Sequence, residues 1–153
     1  RADVPSWPGA RAVKCFFDTN VLLYRIDTAD PIKQRSARAC FNHHAEAGNA
    51  VISTQVMQEF HYVLRARFAS TVPAEDAFRM TEALTVLDVV QVTPQLVLIA
   101  ARRSEHHRLS FRDALIVSAA AHAGCGTLIT EDLNHGQVID GVRVENPFPG
   151  NAA

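Results

Sequence analysis

The chain has 153 residues, 48% of them hydrophobic and 20% charged, with 15 Lys+Arg against 16 Asp+Glu. That length suits one domain burying roughly 70% of its unfolded surface. The near-neutral balance argues against a plain electrostatic nucleic-acid binder, and no apolar run approaches the ~18 residues of a membrane span. No charged-then-apolar signal segment opens the chain. The 3 cysteines, Cys15, Cys40 and Cys125, lack metal-ligand spacing and fit a reduced, intracellular protein, with Cys15 and Cys40 set among apolar residues.

Residues 1–12 (RADVPSWPGARA) have no periodicity and read as a flexible tail, and the missing initiator Met fits either processing or a non-native remnant. Val13 to Phe17 is a short buried strand, mostly β-branched or aromatic. Asp18 follows where the apolar run stops, with Thr19 and Asn20 as helix caps before Val21, Leu22 and Leu23. Asp30-Pro31 starts a helix to about Ala47, stopped by Gly48-Asn49. Ala50 to Ser53 is a second strand, and Thr54 caps a helix over Gln55 to Phe68. Another helix runs from Pro73 to about Leu87, then Val89 to Thr93 forms a third strand. Pro94 begins a helix ending near Arg108, and Ser110 opens one that stops at Gly124. Thr127 to Thr130 is a fourth strand and Val142 to Glu145 a fifth, at an edge. Strands alternating with helices imply an α/β fold: a mainly parallel, four- to five-stranded central sheet with helices on both faces.

Four acids stand where solubility does not call for them. Asp18 lies between a strand and a helix, the address at which open parallel sheets bind ligands, although it also suits a helix cap. Glu59 shares a helical face with Val56 and Val63, where a carboxylate needs a partner; Arg65 or Arg67 could supply a plain ion pair. Asp113 opens a helix that is apolar all round, and Ser110-x-x-Asp113 also fits a capping box. Asp132 lies just past the fourth strand, matching Asp18, while Glu131 should point away. Two such charges ~6 Å apart repel by roughly 3 kcal/mol at an effective dielectric of about 20. Four together call for a cation. Oxygen-only ligands suit Mg²⁺ or Mn²⁺, which act on phosphates, so the set points to a metal-dependent nuclease or phosphatase.

DTNVLLY at Asp18, STQVMQEF around Glu59, LSFRDALIVSAA around Asp113 and LITEDLNHG around Asp132 resemble, in this order, the PIN-domain ribonucleases. The similarity is greatest to the VapC-type toxins of bacterial toxin–antitoxin modules. It spans Val13 to Phe148, leaving 1–12 and 149–153 as tails around a PIN-like three-layer domain. The resemblance implies that Asp18, Glu59, Asp113 and Asp132 bind metal, with Asn20 and Thr130 orienting the carboxylates or a bound water. It further implies an endoribonuclease of the bacterial cytoplasm, using Mg²⁺ or Mn²⁺. Its expected partners are RNA, a small cognate antitoxin that occludes the cleft, and further copies of itself in a homodimer or larger assembly. A basic side chain of the antitoxin is expected to stand in for the cation.

With the four site acids set aside, 12 acids face 15 basic residues. Arg112 and Arg25 are candidates for contacts to the RNA backbone, or else solvated surface arginines. The pairs His43-His44 and His106-His107 diverge on their helices and cannot each chelate one ion. Tyr24 and Phe60 read as packing residues. A phosphatase with Asp18 as nucleophile would want an acid at position 20, which is Asn, and neither Lys14 nor Lys33 fits a phospho-receiver domain. The non-enzymatic alternative is a PIN-like module that binds RNA or protein without cleaving it.

Overall fold

The computed structural model describes residues 13–148 and Gly150; the expected N-terminal tail and all of 149–153 except Gly150 lie outside the described residues. Strands β1 (Cys15–Phe17), β2 (Ala50–Ser53), β3 (Asp88–Val90), β4 (Thr127–Ile129), β5 (Val138–Ile139) and β6 (Val142–Glu145) form a 6-stranded sheet in the order β3-β2-β1-β4-β6-β5. Every pairing is parallel except that of β5 with β6. Helices α1 (Thr19–Tyr24), α2 (Pro31–Glu46), α3 (Thr54–Arg67), α4 (Ala74–Ala83), α5 (Pro94–His107) and α6 (Phe111–His122) cover both faces.

The sixth strand exceeds the four or five expected. β5 is two residues long, too short to leave an alternation pattern, and its antiparallel partner comes from the hairpin at Gly141 (φ 84°). The helix expected to reach Leu87 ends at Ala83 and tightens into a 3₁₀ turn over Leu84–Val86. β-branched Thr85 and Val86 disfavour further α-helix, and the Thr85 hydroxyl donates to the Glu82 carbonyl at 2.7 Å. At the start of α3 the cap is Ser53, whose Oγ accepts from the Val56 amide, rather than Thr54. The Thr54 hydroxyl accepts instead from the Val92 amide at 3.1 Å, tying α3 to the chain beyond β3.

The core is made where the apolar sequence runs are longest. Phe16, Phe17, Ile52, Leu128 and Ile129 are fully buried in the sheet, and Leu22, Val56, Phe60 and Leu64 close on it from the helices. α6 is buried continuously from Ala114 to Ala120, packed on the sheet beneath α5, which is why its sequence shows no polar face. Burial pushes the thiols of Cys15 and Cys40 up to about 11 and that of Cys125 up to about 12, so they remain protonated, unreactive packing groups.

Topology then sets the position of the site. From β1 the chain proceeds to β2 and β3 on one side, and later returns so that β4 pairs with β1 on the other. This reversal opens a crevice beyond the carboxyl ends of β1 and β4. Phe17 is in register with Ile129, so the residues that follow, Asp18 and Thr130, emerge side by side.

Leu128 is fully buried on β4, at the centre of this arrangement. Leu128→Ala should lower stability by about 2–5 kcal/mol, read as a reduced urea midpoint at unchanged slope.

Candidate active site

Asp18 leaves the sheet as its own amide donates to the Ile129 carbonyl at 3.0 Å, which holds the chain end against β4. Its carboxylate is 1% exposed and caps α1, accepting from the Thr19 amide at 2.7 Å. The cap is therefore real, but it uses only part of the group. Thr130, also fully buried, donates its hydroxyl to Asp18 Oδ2 at 2.9 Å and accepts from the Asp132 amide at 3.1 Å. Asn20 Nδ2 donates to the same threonine oxygen at 3.4 Å. One hydroxyl thus links the first strand's acid to the loop that carries Asp132.

Glu59 enters from α3, one turn beyond the carboxyl end of β2. Its Oε2 accepts from the Thr19 hydroxyl at 2.8 Å and its Oε1 from Gln55 Nε2 at 3.3 Å. Asp113 sits in the first turn of α6, where its amide donates to Ser110 Oγ, so the expected capping box is present on the backbone side. Its carboxylate gains from the helix dipole at that end while pointing elsewhere.

All four carboxylates converge on the guanidinium of Arg112. Its nitrogens lie 2.8 Å from Asp18, 2.7 Å from Glu59, 3.1 Å from Asp113 and 3.7 Å from Asp132. Glu59 thus pairs with Arg112, neither with Arg65 nor with Arg67, because its face of α3 looks at the amino end of α6. Gln55 reinforces that approach by donating to the Arg112 carbonyl at 3.4 Å. Burial alone would lower the pKa of Arg112, but hydrogen bonds and charge from Asp18 and then Glu59 raise it well above the usual value. Asp132 is shifted upward, first by burial and then by the charge of Asp18, against the opposing pull of Arg112. The cluster remains short of positive charge.

Arg112, expected to face the RNA backbone or solvent, stands among the four acids. The available signal was its adjacency to Asp113 at the opening of a buried helix, where four acids needed a cation. Thr19, expected only as a cap, also supports Glu59. Arg25 lies elsewhere, its guanidinium 4.0 Å above the Phe41 ring. Tyr24 packs edge-on against Phe148 at 5.0 Å. A cavity of about 830 Å³, lined by Ile99, Arg102, His106 and Asp140, is on α5 and touches none of the four acids.

The donor set suits a hard divalent cation: carboxylate oxygens, a hydroxyl and amide oxygens, with no thiolate or imidazole among them. Two buried amide oxygens beside the acids, Asn20 Oδ1 and Gln55 Oε1, have no hydrogen-bond partner, so the site offers oxygen lone pairs that protein donors do not satisfy. Among the described residues, no three acidic, histidine or cysteine side chains already stand as a metal-ligating group. The carboxylates are spaced around Arg112 instead.

Two expectations follow from this geometry. Thr130→Val keeps the shape but strips the Asp132 amide of its acceptor, and should cost about 1–3 kcal/mol, with faster hydrogen exchange at that amide. The folded pKa of Asp132 is raised above 3.8, so its contribution to stability is present in acid and lost as pH rises through that folded value. Asp132→Asn should accordingly melt higher than the parent at pH 7 in metal-free buffer, with the advantage shrinking as pH falls toward about 4.

A PIN domain family model matches residues 15–139. A comparison with curated proteins found no match. Among solved structures, the chain is similar to one from a toxin–antitoxin complex of Klebsiella pneumoniae, at 20% identity and a TM-score of 0.65, covering 88% of this chain and 98% of that one. A DNA-bound VapBC of Salmonella typhimurium gives 22% and 0.61, over 88% and 98%. Mycobacterium tuberculosis VapC20, a sarcin-ricin loop cleaving toxin, gives 18% and 0.60, over 75% and 87%. At these identities the likeness is one of fold. The sheet order, the crevice at the strand reversal and the family match over 15–139 together place this chain in the PIN domain family.

Proposed function

We propose that this protein is a metal-dependent endoribonuclease, the toxin of a bacterial toxin–antitoxin pair, hydrolysing RNA phosphodiesters in the cytoplasm. The observation that carries the reading is the convergence of Asp18, Glu59, Asp113 and Asp132 on one cationic centre at the strand-reversal crevice. Four carboxylates brought together at such a cost in repulsion are organised for positive charge. Asp18, Glu59, Asp113 and Asp132 would hold Mg²⁺ or Mn²⁺, which when bound would acidify a water and offset charge on the phosphate.

The chain's own residues supply the remainder. Thr130 and the Thr19 amide hold Asp18 in one rotamer, and Thr19 Oγ1 with Gln55 does the same for Glu59. Asn20 Oδ1, buried and unpartnered, would accept a hydrogen bond from a water at the site. A side chain of the antitoxin would close the cleft, and the solved toxin–antitoxin neighbours support a partner of that kind. Val97, Leu98 and Ile99, exposed on α5, support self-association.

The second reading, a PIN-like binding module without catalysis, is favoured by the four contacts of Arg112, which give the acids a structural use. Asp18→Asn separates the two. Asn caps helices about as well as Asp, so the fold should persist. The nuclease reading expects a fall in RNA cleavage of more than about 100-fold, because even residues that only support metal ligands cost 10–100-fold. Cleavage assayed across a Mg²⁺ and Mn²⁺ titration, alongside EDTA controls, is the measurement. Full activity in Asp18→Asn, or undiminished cleavage by the parent in EDTA, would leave the binding module as the better account.

A further inference from the structure

Arg112 presents a problem for any metal bound by the four acids, since its guanidinium already stands among them. We propose that Arg112 is an internal counter-ion that exchanges with the divalent metal: it neutralises the carboxylates when metal is scarce and swings out when metal binds. This rests on the metal-site reading above and adds a regulatory step to it, set by free metal concentration.

Three observations carry the exchange. The first is that Asp18 and Glu59, the two acids nearest its fork, do not need Arg112 to keep their places. When it leaves, Asp18 retains the Thr19 amide and the Thr130 hydroxyl, and Glu59 retains the Thr19 hydroxyl and Gln55 Nε2. The pocket is therefore shaped for a cation independently of the one that fills it.

The second is that Arg112 can leave. Its side chain is 36% exposed, in contrast to 2% for Asp18, and it extends from the first turn of α6 at the open edge of the crevice. Its backbone stays anchored through the bond from Gln55 to its carbonyl. Rotation about the side-chain torsions is then enough, with no movement of the helix.

The third is charge. One guanidinium faces four carboxylates, so the cluster holds more negative than positive charge. A dication supplies twice the charge and binds oxygen at about 2.0–2.1 Å, well inside the 2.7–3.7 Å separations Arg112 makes. Exchange thus improves the electrostatics, and the freed guanidinium remains tethered beside the site, suited to a phosphate.

Competition of this kind lowers apparent metal affinity by the fraction of molecules in which Arg112 is out. Calorimetric titration of Mn²⁺ into RNA-free protein should show Arg112→Ala binding about 10-fold more tightly than the parent, or better. Should Arg112→Ala not fold, Arg112→Lys retains the charge but cannot fork across four acids, and should bind Mn²⁺ more tightly than the parent by a smaller factor. In the unaltered protein labelled at arginine, the Arg112 Nε–Hε resonance should move on saturation with Mg²⁺. Equal or weaker Mn²⁺ binding by the folded variants, or a resonance that stays in place while Mg²⁺ binds, would overturn the exchange. No Mn²⁺ binding by any of these proteins would overturn the metal reading and the exchange together. Tight binding without RNA cleavage would sink only the ribonuclease reading.

Discussion

One guanidinium neutralises the acids gathered at the carboxyl edge of this sheet. Arg112 touches an acid that follows β1, another on α3, its own neighbour on α6, and a fourth on the loop after β4. These segments are distant in sequence, and each brings a negative charge to the same place. Without a shared cation they would repel, and Asp18 is too deeply buried for water to screen it. Arg fits the task because its planar fork offers several donors at fixed angles, where a lysine offers a compact point charge.

The location of that cluster is a consequence of connectivity. A parallel sheet requires each strand to be followed by a crossover, and the crossovers from β1 and β4 leave in opposite directions. Backbone amides and short polar side chains gather where they part. Thr130 shows the economy of the arrangement: one hydroxyl donates to Asp18 and receives the Asp132 amide, so two acids from opposite sides of the reversal are positioned by a single buried group. Helix α6 contributes its amino end to the same crevice because its apolar body must lie buried on the sheet.

Structural and chemical explanations of these residues coexist rather than compete. Asp18 is a helix cap and a member of the cluster; Asp113 completes a backbone cap at Ser110 while its carboxylate faces Arg112. A cap uses one acceptor position, and a carboxylate has about four. The local rules explain why an acid is tolerated at each position. They leave unexplained why all four acids face one another, and that surplus is what marks the crevice as a candidate site.

Most of the fold was legible because its signals are local. Apolar runs bounded by Gly, Pro and capping residues located β1, β2, β4, β6 and the helices to within a few residues. Errors fell where local signals are weak or conflict: the two-residue β5, the early end of α4 at Thr85 and Val86, and the cap taken by Ser53 in place of Thr54. The sequence alone also singled out Asp18, Glu59, Asp113 and Asp132, since each is an acid at a position where periodicity or strand ends demand burial. The direction in which Arg112 points was not available to it. Beside Asp113, a long flexible side chain can reach solvent, a phosphate or the crevice with equal local ease. The choice is made by charges contributed from residues 18, 59 and 132, which lie far away along the chain and come within 4 Å only once the sheet is assembled.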